Sequence, residues 1–211
     1  MDPVTEYYRK AASTVIKNLK KRNMDGIYFE TAMEAVKKIS SMLKEGSSVS
    51  WGGSMTLQEI GITNVLKNGQ FKVFDRGDAK TPQEAEDIYY KALGADYYFM
   101  SSNAITKDGV LVNIDGRGNR LAALIYGPKK IFVIAGMNKL VADEHAGLKR
   151  IRTIASPKNT QRLEKNTPCR KTGFCEDCLS PDSICSHTVI TRRSMVKDRI
   201  CVILIGESLG Y

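Results

Sequence analysis

The run Ile131-Phe-Val-Ile-Ala135 is apolar without interruption. Such a run is typical of a strand in a parallel sheet that is covered on both faces, because neither side of the strand then meets water. Working outward from it in both directions, we predict further strands from the other short apolar segments of the chain. They lie at residues 26–29, 47–51, 71–75, 95–100, 110–114, 188–192 and 200–205.

Helical segments are predicted between these strands. Residues 5–22 place their apolar side chains at helical spacing, and Thr31 with Glu34 forms a capping box for a second helix. Thr81-Pro82 is a strong helix start, because it joins an N-cap to a proline at the first helical position. Other helices are predicted at residues 54–60, 64–67, 119–126, 139–148 and 157–163. Strands that alternate with helices predict an α/β fold with a mostly parallel sheet.

The size and composition of the chain favour one globular domain. With 211 residues, 42% hydrophobic and 26% charged, it can bury a core of its own, so we predict a single domain over residues 1–211. The N-terminus lacks the basic and then apolar order of a signal peptide, and no apolar run approaches the roughly 20 residues that span a bilayer. We therefore expect a cytoplasmic protein without a membrane span.

The net charge of +9 raises the question of nucleic-acid binding. The basic residues are spread through amphipathic stretches, without interleaved aromatic residues and without a known nucleic-acid-binding motif. We expect no nucleic-acid partner, and instead a basic surface that attracts a small anionic substrate.

Four cysteines crowd one short segment near the C-terminal end. Cys169, Cys175, Cys178 and Cys185 follow the spacing C-x5-C-x2-C-x6-C among glycine, proline and polar residues. Such a segment buries little apolar area, so thiolates that converge on a metal would offset the entropy lost in ordering it. We predict a metal-binding or cluster-binding insertion at residues 165–187, which we call the cysteine segment.

The spacing leaves the identity of the metal open. It matches neither a standard zinc finger nor the ferredoxin run, so zinc and an iron–sulfur cluster both remain, as do four reduced thiols without a metal. His187 is a weaker additional ligand candidate, because four cysteines already complete a site. Cys201 lies in the apolar run Ile200 to Ile205 and is expected to be a core residue.

The turn Ser50-Trp-Gly-Gly-Ser-Met-Thr56 is the first candidate ligand site. Gly52 and Gly53 let the backbone approach a ligand closely, and the helix that follows offers unpaired amides to a carboxylate or phosphate. The alternative is a tight turn in which Ser54 only caps the helix.

Two further polar loops follow predicted strands, where open α/β sheets bind ligands. Ser101 to Thr106 could hold a small polar substrate, although its residues also form turns readily. In the run 113–120, Asp115 could orient or deprotonate a substrate and Arg120 could pair with an anion, which makes them the catalytic candidates. The alternative for this run is a glycine-rich turn with Asn119 as a helix cap.

Several stretches together resemble the LUD (lactate-utilisation) domain family. They are Val49 to Thr56, Ser101 to Arg120, Gly127 to Lys139 and, at the end of the chain, Val202 to Tyr211. The resemblance implies the fold of the sugar-isomerase and CoA-transferase-like superfamily, a three-layer α/β/α sandwich. It also implies a ligand site with two sides, one formed by Gly52, Gly53, Ser54 and Thr56 and the other by Asn103, Thr106, Asp115, Asn119 and Arg120.

The resemblance leads to two functional hypotheses. In the first, the chain is a component of a redox system that oxidises a small 2-hydroxy acid, lactate to pyruvate, with an iron–sulfur cluster on the four cysteines and iron–sulfur partner subunits. In the second, it is a small-anion or sugar-phosphate-binding, isomerase-like domain with a structural zinc. Whether the chain acts as an enzyme alone, and whether it forms a homo-oligomer, is left open.

Overall fold

A computed structural model describes residues 2–211 of the chain. Its helices are α1 (Pro3–Lys21), α2 (Ala32–Ser41), α3 (Met55–Glu59), α4 (Ile62–Asn68), α5 (Pro82–Leu93), α6 (Asn119–Ile125), α7 (Glu144–Arg150), α8 (Ser156–Arg162) and α9 (Pro168–Thr172). Its strands are β1 (Asp25–Phe29), β2 (Ser48–Trp51), β3 (Lys72–Phe74), β4 (Tyr97–Met100), β5 (Ala104–Thr106), β6 (Leu111–Asp115), β7 (Lys130–Gly136), β8 (Leu140–Val141), β9 (His187–Thr191) and β10 (Ile200–Ile205).

A six-stranded parallel sheet forms the centre of the fold, in the order β1-β10-β7-β4-β2-β3. Strand β7 contains the apolar run that predicted a parallel sheet, and it is buried from Ile131 to Gly136. Phe132 of β7 lies opposite Phe99 of β4, and their rings stack 5.2 Å apart. The predicted parallel sheet is therefore confirmed.

Helices cover both faces of this sheet. On one face α1, α5 and α6 pack against residues such as Val133 and Val202. On the other face α2, α3 and α4 pack against their neighbours Phe132 and Ile203. Adjacent residues of one strand thus enter opposite cores, which is why the strands are apolar throughout. The predicted three-layer α/β/α sandwich is confirmed.

A second sheet of four strands, in the order β8-β5-β6-β9, lies beside the first. We did not predict β5, because only three residues of the polar stretch that begins at Ser101 form it. The helix predicted at 139–148 begins only at Glu144, where the Asp143 side chain accepts a hydrogen bond from the Ala146 amide at 2.8 Å. Strand β8 precedes it and pairs with β5.

Helices α2 and α5 begin directly after the residues predicted to cap them. Thr31 and Glu34 form a reciprocal capping box, and Thr81 caps α5 with a 3.1 Å bond from the amide of Glu84. No helix within residues 2–211 combines the length and the apolar character needed to cross a bilayer.

The cysteine segment is irregular apart from α9, the short helix that contains Cys169. Two hydrogen bonds join the start of the segment to a stretch near its end. The Asn166 amide donates to Asp182 at 2.9 Å, and Ser180 donates to the Asn166 carbonyl at 3.0 Å. Large apolar side chains remain exposed here, with Phe174 at 77% and Leu179 at 99%. Apolar burial therefore contributes little to the order of this segment.

Candidate functional site

A pocket of about 210 Å³ opens at the carboxyl ends of the central strands. Because all six strands are parallel, the loops that follow them meet at one edge of the sheet. We call this cavity the strand-end pocket. It is lined by residues 53–55, Arg76, residues 101–103, residues 114–117, Asn119, Arg120, Lys139, Ala155, Ser156, Asn159, Arg162, Leu163, Ile184 and Tyr211.

An ion pair between Arg120 and Asp115 lies at the base of this pocket. The guanidinium donates from Nε and Nη2 to Asp115 Oδ1, at 2.9 and 2.7 Å. Both side chains are close to nine-tenths buried. Asp115 also accepts a bond from the Leu121 amide at 3.2 Å, so the carboxylate positions the first turn of α6.

The remaining donors of Arg120 hold the neighbouring polar loop. They bond to the Ser101 carbonyl at 2.8 Å, to Asn113 Oδ1 at 2.7 Å and to Asn103 Oδ1 at 3.0 Å. Asn103 and Asn113 in turn accept bonds from main-chain amides of the two adjoining stretches. Arg120 thus lines the pocket but directs its N–H groups to protein acceptors, which gives it a positioning role in this structure.

Gly53, Ser54 and Met55 line the opposite side of the pocket. A Cβ on Gly52 would lie 3.2 Å from the Arg120 side chain and 3.3 Å from the Tyr98 hydroxyl, so glycine permits the close approach of this loop. Gly53 and Ser54 line the pocket, and Ser54 caps α3.

Lys139 is the functional residue that we did not predict. It is 3% exposed, and its Nζ lies 2.8 Å from Thr56 Oγ1 and 2.9 Å from Ser101 Oγ. Burial, together with the charges of Arg150 and Arg120, lowers the pKa of its ammonium to about 7. A lysine directly after the buried strand β7 was the signal available in the sequence.

The electrostatic character of the strand-end pocket is cationic. Arg76, Arg117, Arg162 and Lys139 line it together with Arg120, whereas Asp115 is its one carboxylate among the described residues and is already paired. Arg117 also pairs with Glu86 at the surface. A small anion is therefore the kind of ligand that this pocket favours.

Three of the predicted ligand residues, Gly52, Thr56 and Thr106, do not line the pocket themselves. Thr106 is buried in the β5–β6 turn, where its hydroxyl accepts a 3.0 Å bond from the Val110 amide, and it does not line the pocket. Thr56 contacts the site through Lys139. Asn119 lines the pocket at the start of α6.

The cysteine segment borders the strand-end pocket. Although Cys185 is an exposed residue, its thiol points inward and bonds to Ser156 Oγ at 3.3 Å. Ser156 and Ile184 both line the pocket. A Cβ on Gly116 would lie 3.1 Å from the backbone of Ile184, so the two loops are in close contact.

The four cysteines of this segment carry free thiols. Burial raises the pKa of the Cys185 thiol, and the charges of Cys175, Cys169 and Cys178 add to that increase. Cys169 is buried between the hydroxyls of Thr160 and Thr167, each 3.4 Å from its sulfur. Across residues 2–211, no three His, Cys, Asp or Glu side chains are gathered closely enough to hold a metal ion.

Comparison with known proteins identifies the family. Residues 12–205 match the family described as LUD domain. The chain belongs to the LUD domain family. At the level of the family, LUD domains are associated with lactate utilisation. No curated protein matches the sequence.

One solved structure supports the fold of this LUD domain. The 1.70 Å crystal structure of a DUF162 family protein from Deinococcus radiodurans aligns with a TM-score of 0.55 and 11% identity, over 94% of this chain and 98% of that one. The crystal structure of eIF2B delta from Chaetomium thermophilum aligns with a TM-score of 0.35 and 16% identity, over 56% of this chain and 51% of that one. The second likeness is too weak to carry an argument.

Proposed function

We propose that this LUD domain binds a small 2-hydroxy or 2-keto acid in the strand-end pocket and takes part in its redox conversion, such as lactate to pyruvate. One observation carries the proposal: the cationic pocket and the four-cysteine segment meet at Ser156 and Ile184. A substrate in the pocket would thus lie beside a group able to exchange electrons with it.

The lining of the pocket supports a carboxylate ligand. Arg117 and Arg162 are largely exposed and lie at the pocket. Arg117 pairs with Glu86 through Nη2, and Arg162 donates from Nε and Nη2 to Asn159 Oδ1, so the Nη1 group of each can donate to a small acid. A volume of about 210 Å³ accommodates a molecule of the size of lactate with accompanying water.

As the electron acceptor we propose an iron–sulfur cluster on the four thiols, which would take the two electrons of the acid one at a time and pass each to a redox partner. The ligands of such a cluster are spread around several iron atoms, so the four thiols would not have to meet at a single ion. A structural zinc would require all four sulfurs to close to about 2.3 Å from one ion. Zinc in a small-anion or sugar-phosphate-binding, isomerase-like domain is the competing assignment.

Anaerobic purification of the full chain tests the metal assignment. We expect iron and acid-labile sulfide in the protein and a broad visible absorption that bleaches on reduction. One zinc per chain and no colour would contradict the cluster and favour the isomerase-like alternative. The absence of both metals from protein expressed with an ample metal supply would contradict the liganding of the cysteines altogether.

Titration calorimetry with pyruvate and lactate tests the substrate assignment. We expect Arg162→Gln to weaken binding about tenfold, because a charge-assisted hydrogen bond contributes roughly 1.5–3 kcal/mol. Arg193→Gln is the matched control, since Arg193 is exposed beyond β9 and does not line the pocket. If both variants lost the same affinity, the loss would come from the net charge of the protein alone, which would contradict a carboxylate site.

We also propose a cytoplasmic location and a redox partner for the protein. Thiols that must stay reduced to bind a cluster suit the cytoplasm. Electrons that leave a small acid must pass onward, so we infer an iron–sulfur redox partner. Co-purification of the tagged chain with a protein that also carries a cluster would support this inference.

A further inference from the structure

Two side-chain hydroxyl groups accept hydrogen bonds from Lys139 Nζ. The Thr56 hydroxyl donates to the Leu209 carbonyl at 3.3 Å, and the Ser101 hydroxyl donates to the Ser102 carbonyl at 3.4 Å. Each hydroxyl has one hydrogen, so both oxygens accept from Lys139 Nζ. Two N–H groups of the lysine are therefore held by the protein.

A neutral amine has two hydrogens and one lone pair, whereas an ammonium group has three hydrogens. With both amine hydrogens bound to Thr56 and Ser101, the lone pair occupies the remaining tetrahedral position. Lys139 lines the strand-end pocket, so a ligand there can meet this lone pair. The side-chain carboxylate that lines the pocket, Asp115, is already paired with Arg120 and so does not pair with the amine.

The charges around Lys139 favour the neutral form. Arg150 and Arg120 repel an added proton, Glu59 is the one acidic group that attracts it, and burial acts in the same direction as the arginines. With a pKa of about 7, roughly half of the Lys139 side chains are neutral at pH 7, against about one in 3,000 for a lysine at the ordinary value of 10.5.

We propose that Lys139 is a reactive amine that forms an imine with the carbonyl group of a small 2-keto acid bound in the strand-end pocket. This inference rests on the proposed function for the nature of the ligand. Lysines desolvated next to other cationic groups are known to react in this way with carbonyl substrates. Lys139 would thus bind the keto acid covalently and reversibly, while the arginines at the rim hold its carboxylate.

The step balances without an oxidant. The lone pair of Nζ attacks the carbonyl carbon, a C–N bond forms, and the C=O π electrons become those of a hydroxyl after one proton moves from nitrogen to oxygen. Loss of that hydroxyl with the second proton of the nitrogen releases one water and leaves the C=N bond. No electron is gained or lost by the protein.

Trapping with sodium borohydride tests this inference on the full chain as purified. Borohydride reduces an imine to a stable secondary amine, which intact mass and peptide mapping then locate. Pyruvate, glyoxylate and the uncharged glycolaldehyde are used as separate probes. We expect an adduct on the peptide that contains Lys139 with both acids, and loss of that adduct to background in Lys139→Arg, which keeps the charge but cannot form an imine.

The three probes separate failure of the inference from failure of the proposed function. An adduct on Lys139 with glycolaldehyde alone would support the reactive amine and contradict the acid ligand. Calorimetric binding of pyruvate without any adduct would contradict the reactive amine and leave the acid site standing. Adducts scattered equally over exposed lysines such as Lys38 would also overturn the assignment to Lys139.

Discussion

The strand-end pocket and the cysteine segment lie side by side but are built on different principles. In the pocket, buried polar side chains such as Arg120 and Lys139 are held by hydrogen bonds to neighbouring loops. In the cysteine segment, the chain is irregular and leaves Phe174 and Leu179 exposed. The pocket is therefore preorganised by the fold itself, whereas neither regular secondary structure nor apolar burial accounts for the order of most of the segment.

Removal of Arg120 should have the largest effect, because it holds the pocket together. We expect Arg120→Met to lower the free energy of unfolding by about 3–5 kcal/mol, since Asp115, Asn103 and Asn113 would remain buried without their partner. Urea denaturation measures the change. Arg117→Met is the control: Arg117 is 64% exposed, pairs with Glu86 and lies over the ring of Tyr89 at the surface, so we expect a loss of about 1 kcal/mol or less. Similar losses in both variants would mean that the pocket is not preorganised.

Lys139 makes the stability of the pocket depend on pH. Its pKa is about 7 in the folded state and near 10.5 in the unfolded state, so between these values the unfolded chain binds more protons. The free energy of unfolding should therefore rise with pH across this window, while the penalty is fully present below pH 7. We expect a gain of about 2 kcal/mol from pH 7 to pH 9 in the wild type relative to Lys139→Met.

The comparison between wild type and Lys139→Met isolates the lysine from other groups that titrate. The methionine also loses the bonds to Thr56 and Ser101, but that loss does not change with pH. Denaturation curves at several pH values measure the difference. A difference that is flat from pH 7 to pH 9 would show that the ammonium is not desolvated.

Ser156 joins the two regions, and its removal should have a smaller effect. The Ser156 hydroxyl lowers the pKa of the Cys185 thiol and so partly offsets the increase that burial causes. We expect Ser156→Ala to raise that pKa, to slow alkylation of Cys185 in the metal-free protein, and to cost about 1 kcal/mol or less in stability. Alkylation of Cys175 should be unchanged, and equal slowing at both thiols would argue against a specific contact.

The fold could be predicted from the sequence because its signals are local. The apolar run in β7 and the caps at Thr31 and Thr81 each require only neighbouring residues to be read. The loops of the candidate site were also predicted, since parallel strands bring their carboxyl ends to one edge.

The roles of side chains within the site could not be predicted in the same way. Arg120 was expected to bind an anion. Its donors are instead occupied by Asp115, which lies five positions away in the chain, and by the carbonyl of Ser101. Lys139 depends on Thr56, which lies 83 positions away. Such contacts arise only from tertiary packing, and the identity of a metal on the thiols depends on geometry that spacing does not encode.

Substitution in the cysteine segment should have the smallest effect on the free energy of unfolding of the metal-free protein. It therefore tests most directly the difference between this segment and the strand-end pocket. Cys175 and Cys178 are half-buried in irregular chain, so we expect Cys175→Ser and Cys178→Ser to change the free energy of unfolding by less than about 0.5 kcal/mol without metal. Both should abolish the binding of the metal or cluster in the loaded protein. Cys201→Ser is the matched control: Cys201 is buried in β10, so a hydroxyl there should cost about 1–3 kcal/mol while metal content stays unchanged. If the two segment variants kept their full metal content, the cysteines would not be ligands, and some other interaction would have to order the segment.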